Sequence, residues 1–485
     1  MTIEVILVWA ALLLLVSILA SRVSAYLGVP ALLLFLLIGM LAGSEGPGGV
    51  YFDDPWFSQL LSVVALAFIL FSGGLDTQLR DIRPVLRKGL LLSTFGVFVT
   101  ALSVGWVATV LLDFSFKEGV LLGAIVSSTD AAAVFAVLRA KNVGLKGNLK
   151  PLLELESGSN DPMAIFLTAG MIRLIETPAE TPLALIPMFV QQMVVGAAAG
   201  YGIGRLGVIV INRLRLEYEG LYPVLTIALV LLAYGATTVS GGNGFLAVYL
   251  AGVITGNSNF VHKASLRRFH EGLAWLMQIA MFLTLGLLVF PSELTPVIGN
   301  GLLIALFLML VARPASVFLS LGRSRMTVGE KTFVSWVGLR GAAPIILATF
   351  PLLAGLSKAD TIFNLVFFIV LTSVLVQGTT LNRVARWLGV DEPGVSRPVH
   401  PLELTPSDRI RSELIELTVP PNAHVAGRQL VNIDFPEGTL VVLLGRGERF
   451  IVPTGSTTLE EGDLLLILAD RDRLDHVRAV IEAPE

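Results

Sequence analysis

Cysteine is absent from the 485 residues, and charged side chains are scarce. Without cysteine, disulfides and thiolate metal sites are excluded, and the redox compartment stays open. Asp, Glu, Lys and Arg make up 15% of the chain, whereas soluble chains carry about 25%. Because hydrophobic residues reach 54%, most of this protein must face something other than water.

Long apolar runs fill the chain up to about residue 387, and the remainder has the composition of a soluble domain. Runs of about 18–25 residues are long enough to cross a hydrocarbon core as helices. The sequence predicts a membrane domain over 1–390, a linker over 391–403 and a small α/β cytoplasmic domain over 404–485. Thirteen helices are predicted in the first of these, at 3–20, 29–42, 60–75, 89–112, 118–138, 151–175, 183–211, 221–238, 244–256, 272–290, 297–319, 327–353 and 361–384.

Lys and Arg residues are concentrated in every second predicted loop. The other set of loops holds only Lys117, Arg173 and Lys358. Since basic residues stay on the cytoplasmic side of short loops, this alternation predicts a multi-pass protein with its N-terminus outside and its C-terminal domain in the cytoplasm. No basic residue precedes Arg22. Because a cleavable signal peptide begins with positive charge, we expect the first helix to be retained.

Polar side chains lie near the middle of three predicted helices, the fifth, sixth and twelfth. An ionisable group at that depth costs at least about 2.5–3.5 kcal/mol, so each one marks a candidate functional site. In chain order the polar residues are Ser127, Ser128, Thr129, Asp130, Glu156, Ser157, Asn160, Asp161 and Arg340.

Glycine and proline surround these polar residues. Gly158 and Pro162 flank the polar run of the sixth helix, and Gly338 and Gly341 stand on either side of Arg340. Helix breaks at membrane depth are tolerated only where the freed backbone groups are buried in protein or line a wet cavity. Transporter sites are often built from interrupted helices of two inverted repeats. The fifth and twelfth helices are seven apart, as an inverted repeat requires, so we expect interruptions in these two helices and, from Gly158 and Pro162, in the sixth.

One buried carboxylate with neighbouring hydroxyl groups can hold either an alkali cation or a proton. Carboxylate, hydroxyl and carbonyl oxygens are hard ligands, and burial makes the proton a realistic competitor. We choose Asp161 as this carboxylate, with Asp130, Ser157 and the backbone of Thr129 as supporting ligands of K⁺ or Na⁺. A site that holds one ion at a time gives exchange. Asp130 could instead cap a helix interruption.

Three further polar side chains are predicted to support the site. Asn160 is neutral and can hold Asp130 or a backbone group in place. Glu156 and Arg340 have opposite charge and comparable depth, so we expect a buried bridge between them that joins the two repeats. Arg313 lies near a helix end and is interpreted as structural, with its charge at the membrane surface.

These residues resemble the cation:proton antiporter superfamily, specifically its NhaP-type, electroneutral branch. The matching segments are 128–131, 156–161 and 338–341. The resemblance implies an all-α membrane fold of inverted repeats with crossed, broken helices. It also implies a homodimer in the bilayer and an elevator-like motion of a core made of helices four to six and eleven to thirteen. In this family Asp161 would bind cation and proton, and no cofactor is implied. Electrogenic relatives have a second aspartate at the position of Asn160, so one proton is expected per cation.

The C-terminal part alternates strand-like and helix-like stretches. Strands are predicted at 412–419, 440–444, 449–452 and 464–468, and a helix at 471–481. This pattern resembles the TrkA (RCK) C-terminal domain, a dimerising regulatory module that sometimes binds a small nucleotide. An antiporter with such a tail resembles the potassium/proton antiporters of the cell-volume-regulation group. The resemblance favours K⁺, with Na⁺ as the alternative, and implies a bacterial-type inner membrane.

Other functions fit the sequence less well. A potassium channel gated by the tail needs a Thr-Val-Gly-Tyr-Gly filter, and no such run is present. An organic-anion symporter needs a free arginine or positive helix ends, and Arg340 is already assigned. An enzyme is the least expected, because the five histidines are assigned to loops or to the tail and show no metal-ligand spacing. No nucleic-acid partner is expected.

Overall fold

The computed structural model describes residues 2–27, 30–141, 143–214, 216–393, 412–420, 423–447, 449–470 and 473–482. The chain separates into two compact units, Met1–Gly394 and Val395–Glu485. The predicted linker beyond Pro393 and the first residues of the predicted tail lie outside the described residues.

Helices build the first unit. In chain order they are α1 (Ile3–Leu27), α2 (Ala31–Ala42), α3 (Pro55–Asp76), α4 (Leu79–Leu111), α5 (Phe116–Ile125), α6 (Ala131–Ala140), α7 (Leu149–Glu176), α8 (Pro182–Arg213), α9 (Leu221–Val239), α10 (Gly244–Gly256), α11 (Lys263–Leu287), α12 (Pro291–Leu321), α13 (Val328–Trp336), α14 (Ala342–Leu353) and α15 (Ala359–Trp387). Within the described residues, seven helices are long and apolar enough to cross a membrane. The fold class is confirmed as helical with apolar helices, whereas the number of crossings stays a prediction.

Two helices are interrupted, the fifth and the twelfth of the predicted set. Residues 126–130 separate α5 from α6, and residues 337–341 separate α13 from α14. Each interrupted helix begins with a capping box, at Ser115 and at Thr327, in which a hydroxyl and a glutamate satisfy free N–H groups of the first turn. The expected broken helices are therefore present at these two places.

The sixth predicted helix is not interrupted. α7 is continuous with Pro162 inside it, so the break expected between Gly158 and Pro162 is wrong. Proline removes one N–H donor and frees the carbonyl four residues earlier, but a helix surrounded by protein can absorb this defect. Gly158 instead permits close packing, because a Cβ at this position would lie 2.5 Å from a ring carbon of Tyr249.

The same order of local features occurs twice in the first unit. α4 and α12 each contain one π-helical turn, at Leu92–Gly96 and at Leu308–Ala312, and each precedes a capped, interrupted helix. Ser316 on α12 donates to the carbonyl of Gly96 at 2.9 Å. Since π-turns are rare and often occur at functional sites, their repetition agrees with the predicted pair of repeats.

The helices of the first unit pack as two groups. In the core group (α4–α7 and α12–α15), α4 packs on α5 and α12, α5 on α7, and α14 on α15. In the scaffold group (α1–α3 and α8–α11), α3 packs on α10 and α11, and α8 on α10. Small residues let helices approach closely in a membrane, and a Cβ on Gly252 of α10 would meet the backbone of Phe71 on α3. α7 and α14 of the core group contact α3 of the scaffold group, and α7 also contacts α10.

His270 lies within α11 and not in a loop, which corrects the assignment made from the sequence. Its side chain is buried, and Nε2 lies 2.8 Å from the hydroxyl of Thr226 on α9. The predicted helix begins too late, at residue 272, because the charged first turns of α11 lower the local hydropathy. Buried packing against Phe71 and Phe269 accounts for the histidine without a metal or catalytic role.

A two-stranded antiparallel sheet joins two connections of the first unit. β1 (Val143–Leu145), between α6 and α7, pairs with β2 (Asp391–Pro393), directly after α15. Lys146 adds two bonds, from its backbone N–H to the carbonyl of Val390 and from Nζ to the carbonyl of Gly389, both at 2.9 Å. The three residues of β2 were assigned to the linker by composition, whereas their backbone is paired within the first unit.

The second unit is a four-stranded antiparallel sheet with one helix. Its strands are β3 (Ser412–Thr418), β4 (Leu440–Arg446), β5 (Arg449–Ile451) and β6 (Leu464–Asp470), in the order β3-β6-β4-β5, and its helix is α16 (Leu474–Glu482). The central strand β6 is almost wholly buried, and Val477 and Ile481 of α16 belong to the same apolar core. All four predicted strands and the predicted helix are present.

Candidate functional site

The interruptions of the two broken helices lie against each other in a crossing (residues 126–130 and 337–341). The backbone N–H of Asp130 donates to the carbonyl of Leu339 at 2.8 Å. Gly341 has no side chain, and a Cβ on it would collide with the carboxylate of Asp130. Glycine is therefore needed here so that the two chain segments can approach.

Each interruption exposes helix ends, and charged side chains satisfy them. Nη1 of Arg340 donates to the carbonyls of Ser127 and Ser128, both at 2.8 Å, just past the C-terminal end of α5. Oδ1 of Asp130 accepts from the N–H of Ala133 at 3.1 Å at the start of α6. A cation at a helix C-terminus and a carboxylate at an N-terminus both match the helix dipole. Asp130 thus serves as a cap, which is the alternative weighed for it.

Polar side chains of α15 satisfy the second interruption. Nε2 of Gln377 donates to the carbonyl of Trp336 at 2.7 Å, at the C-terminal end of α13. The hydroxyl of Ser373 accepts from the backbone N–H of Arg340 at 3.2 Å and donates to Oε1 of Gln377 at 2.5 Å. This role was not expected from the sequence, because α15 has the hydropathy of an ordinary membrane-spanning helix.

The partner of Glu156 is Arg313 and not Arg340, so the predicted bridge is wrong. Oε1 of Glu156 lies 2.6 Å from Nη1 of Arg313, and the two side chains are 2% and 3% exposed. Arg313 reaches this depth because Gly338 leaves room for it, since a Cβ there would lie 2.9 Å from its Nε. Arg340 is engaged instead by carbonyls that the break in α5 frees. The interpretation of Arg313 as a surface charge is also wrong.

Asp161 lies on α7 beside the crossing and is 7% exposed. Its Oδ1 accepts a hydrogen bond from the hydroxyl of Ser128. Ser128 was predicted to lie near the middle of its helix, but it was not among the predicted ligands. Helical periodicity gives no side-chain direction in a segment that is not helical. No cationic side chain pairs with Asp161 among the described residues.

Ser157 and Asn160 fasten α7 to the crossing. The hydroxyl of Ser157 donates to the carbonyl of Thr129 and accepts from the N–H of Ala131, both at 3.0 Å. Nδ2 of Asn160 donates to the hydroxyl of Thr129 at 2.6 Å. Ser157 and Asp161 are four residues apart, about one helical turn, so both side chains face the same side of α7.

The first interruption and α7 bring the four predicted ligands together, and Arg340 of the second repeat donates to the neighbouring carbonyls of Ser127 and Ser128. The ligand oxygens are of the hard kind that alkali cations take from proteins, and the acidic and imidazole clusters typical of resident metal centres are absent from the described residues. Participation of each residue in ion binding stays a prediction. The predicted set is Asp161, Asp130, Ser157 and Thr129, with Asn160, Glu156 and Arg340 in support.

A family profile described as sodium/hydrogen exchanger, transmembrane, matches residues 10–387, and one described as the TrkA-C domain matches residues 414–482. The chain belongs to the sodium/hydrogen exchanger family. It is similar to the K⁺/H⁺ antiporter NhaP2 of Shewanella sp. (strain ANA-3), with 41% identity over 98% of this chain and 83% of the relative. The K⁺/H⁺ antiporter NhaP of Alkalimonas amylolytica is 38% identical over 96% of this chain and 81% of the relative.

Solved structures show the same fold. The sodium proton antiporter MjNhaP1 from Methanocaldococcus jannaschii at pH 8 superposes with a TM-score of 0.70 and 22% identity, over 80% of this chain and 99% of that chain. Membership of the exchanger family makes the chain a cation:proton transporter and not an enzyme, and it does not favour the channel alternative.

The charged side chains around the crossing do not balance. The carboxylates of Glu156 and Asp161 are buried and that of Asp130 is half-buried, and they face two buried guanidinium groups, Arg313 and Arg340. Asp130 and Arg340 each satisfy a helix end, and Glu156 pairs with Arg313. When all five are ionised the sum is one negative charge, which a single monovalent cation or a single proton at Asp161 would cancel.

Replacing Ser128 by alanine is expected to raise the half-saturating cation concentration of the exchanger at least about tenfold. A hydrogen bond to a charged group contributes about 1.5–3 kcal/mol, and about 1.4 kcal/mol corresponds to a factor of ten. Ser127 provides the matched control, because it is equally buried but donates to the carbonyl of Ala124 at 2.6 Å. Cation-dependent exchange in vesicles measures both alanine variants. Equal half-saturating cation concentrations for the two would contradict the role of the Ser128 hydroxyl at the ion site.

Proposed function

We propose that the chain exchanges K⁺ for H⁺, one for one, with Asp161 binding cation and proton in turn. The supporting observation is the single uncompensated carboxylate beside the crossing. An empty, ionised site carries a net charge that is costly to move through a medium of low dielectric constant. The site loaded with K⁺ or with H⁺ is neutral, so the loaded forms move more readily, and this difference couples the two ions.

K⁺ is proposed as the transported cation because the relatives that are 38–41% identical over nearly the whole chain are named K⁺/H⁺ antiporters. Na⁺ is the alternative, since the relative ApNhaP of Aphanothece halophytica, 26% identical over 84% of this chain and 80% of that protein, is named a Na⁺/H⁺ antiporter. Hard oxygen ligands accept both ions, and selection between them depends on cavity size and ligand field.

Transport by the purified protein in vesicles tests this proposal. With a pH-sensitive dye trapped inside and a pH gradient imposed, added K⁺ should dissipate the gradient at lower concentrations than added Na⁺. Because one charge moves in each direction, the rate should not change when the membrane potential is clamped at different values. A rate that follows the membrane potential would overturn the one-for-one stoichiometry, and a lower half-saturating concentration for Na⁺ would overturn the choice of K⁺.

We also propose the membrane placement and assembly of the chain. The alternation of basic loops supports an N-terminus outside and a C-terminus in the cytoplasm, and the family resemblance supports a bacterial-type inner membrane and a homodimer. The proposed domains are those expected from the sequence, an exchanger over 1–390, a linker over 391–403 and a regulatory tail over 404–485, except that Asp391–Pro393 pair with β1 and are counted with the exchanger. Protease accessibility of the tail in inverted vesicles tests the orientation, and mass measurement in detergent tests the dimer.

The tail is proposed to regulate exchange by dimerising and by binding a small nucleotide. Support comes from the TrkA-C match over residues 414–482 and from the resemblance to potassium transport systems. Titration of the full chain with nucleotides, followed by the midpoint of thermal unfolding, tests the ligand, because binding to the folded state raises that midpoint. Midpoints that do not respond to any nucleotide would leave the tail without this ligand.

A further inference from the structure

The scaffold helix α10 contacts α7 on both sides of Asp161. Beyond Asp161, Nδ2 of Asn243 donates to the carbonyl of Pro162 at 2.9 Å, while its Oδ1 caps α10 by accepting from the N–H of Leu246 at 3.0 Å. Before Asp161, the ring of Tyr249 lies against Gly158. The surface between α10 and α7 is therefore the place where the core group meets the scaffold group beside the ion site.

Three positions of α7 lie along one face toward its Lys150 end. Glu154, Gly158 and Asp161 are spaced by four and three residues, so they share that face. At a rise of 1.5 Å per residue, Glu154 lies about 10 Å from Asp161 along the helix. The side chain of Glu154 is 34% exposed and lies 3.8 Å from Lys150, whereas Asp161 is 7% exposed. An ion moving along this face of α7 from Glu154 to Asp161 would pass Gly158.

The ring of Tyr249 fills the space over Gly158. A Cβ on Gly158 would lie 2.5 Å from Cζ and 2.8 Å from the hydroxyl oxygen of Tyr249. The tyrosine is 4% exposed, and its hydroxyl lies beside the hydroxyl of Thr77, which donates to the carbonyl of Gly73 at 2.8 Å.

We propose that Tyr249 is the gate between Asp161 and the Lys150 end of α7. The ring blocks the route while α10 and α7 are packed as in this structure, and it clears the route when the core group shifts along α10. Tyr249 touches the route and not the bound ion, so it is a positioning residue whose size matters more than its hydroxyl. The inference rests on the proposed function, because a gate has meaning only if ions reach Asp161.

Access of a thiol reagent to the ion site tests the gate independently of transport. The chain has no cysteine, so Asp161→Cys provides a single reporter in the full-length protein. In membrane vesicles of either orientation, a small cationic methanethiosulfonate is added, and the modified fraction is followed by intact mass. We expect Tyr249→Ala to raise the modification rate at least tenfold from the face that exposes Lys150. We expect Tyr249→Phe, which keeps the ring, to change that rate less than twofold.

Phe245 provides the matched control on the same helix. It is 3% exposed, and its ring packs on Tyr234 of α9, with centroids 4.8 Å apart. Phe245→Ala should lower the midpoint of thermal unfolding as Tyr249→Ala does, without raising the modification rate. Equal modification rates in the reporter with Tyr249 and with Tyr249→Ala would overturn the gate. Equal increases for both alanine variants would also overturn it, because loosened packing would then explain access. Absence of cation:proton exchange by the unchanged chain, with the modification rates as expected, would count against the proposed function alone.

Discussion

Replacing Asp161 by asparagine is expected to reduce cation:proton exchange to the rate of protein-free vesicles. The amide keeps the shape of the side chain and its place beside Ser128, but it carries no negative charge and takes up no proton near neutral pH. The charges around the crossing would then sum to zero permanently. The empty site would no longer attract the cation. It would also no longer carry the net charge that makes its movement through the membrane costly, so cation flux and proton flux would not be coupled.

The control for this variant is Asp360→Asn. Asp360 is an exposed carboxylate in the first turn of α15, so its neutralisation should leave both the rate and the half-saturating cation concentration unchanged. Dye-loaded vesicles and equal amounts of reconstituted protein are used for both variants. Saturable exchange by Asp161→Asn, with the half-saturating concentration of the unchanged chain, would show that another group binds the ions.

Replacing Arg313 by methionine is expected to lower the free energy of unfolding by about 3–5 kcal/mol, the cost of leaving a buried charge without its partner. Glu156 would remain as a buried carboxylate 2.6 Å from the lost guanidinium position. The Glu156→Met, Arg313→Met double variant should recover most of this stability, because a buried ion pair can often be replaced by apolar side chains at little cost. Thermal unfolding in detergent measures both changes.

The pair of Arg173 and Glu180 is a suitable comparison. Its N–O distance, 2.7 Å, is almost the same, but the side chains are 49% and 30% exposed. Arg173→Met should therefore lower the free energy of unfolding by no more than about 1 kcal/mol. Similar losses for the two methionine variants would show that burial does not decide the cost. A strong effect of Arg340→Met that Glu156→Met relieves would restore the bridge expected from the sequence.

Helix interruptions could be predicted from the sequence only in part. The break between α13 and α14 follows from Gly338 and Gly341 around a charged residue, and that inference was right. The same reasoning failed at Gly158 and Pro162, because one glycine and one proline do not distinguish a broken helix from a tightly packed one. The break between α5 and α6 has no glycine or proline, and its signal was the run of hydroxyl residues that compete with helical backbone bonds.

The partners of buried charges could not be predicted, because depth along a helix does not fix the direction of a side chain. Arg313 and Arg340 both match Glu156 in sign, and position along the predicted helices favoured Arg340, which is the wrong partner. The choice between them depends on the room that Gly338 leaves and on the carbonyls of Ser127 and Ser128, which are free only because the chain there is not helical. The partner of each buried charge is therefore determined by the folded crossing and cannot be deduced from the sequence of one segment.

The strands of the second unit were easier to predict, because their pattern is local. Residues 415–419, in and after β3, alternate between apolar and polar, and the apolar run of β6 is preceded by the turn residues Gly462 and Asp463. Such alternation, or a short apolar run next to a turn, is a local signal for a strand. Partner order within the sheet, β3-β6-β4-β5, required the structure, since the local pattern of a strand does not say which strand it pairs with.

The short sheet of β1 and β2 decides where the chain can be shortened. A chain cut after Trp387 loses the three residues of β2 and the two carbonyls, of Gly389 and Val390, that hold Lys146. The edge of β1 would then lack its partner, and each lost backbone bond removes about 0.5–1.5 kcal/mol. A chain cut after Pro393 keeps all of them. An exchanger without its tail should therefore end at Pro393 and not at the end of α15. Any change in its transport then reports the missing tail and not a destabilised connection between α6 and α7.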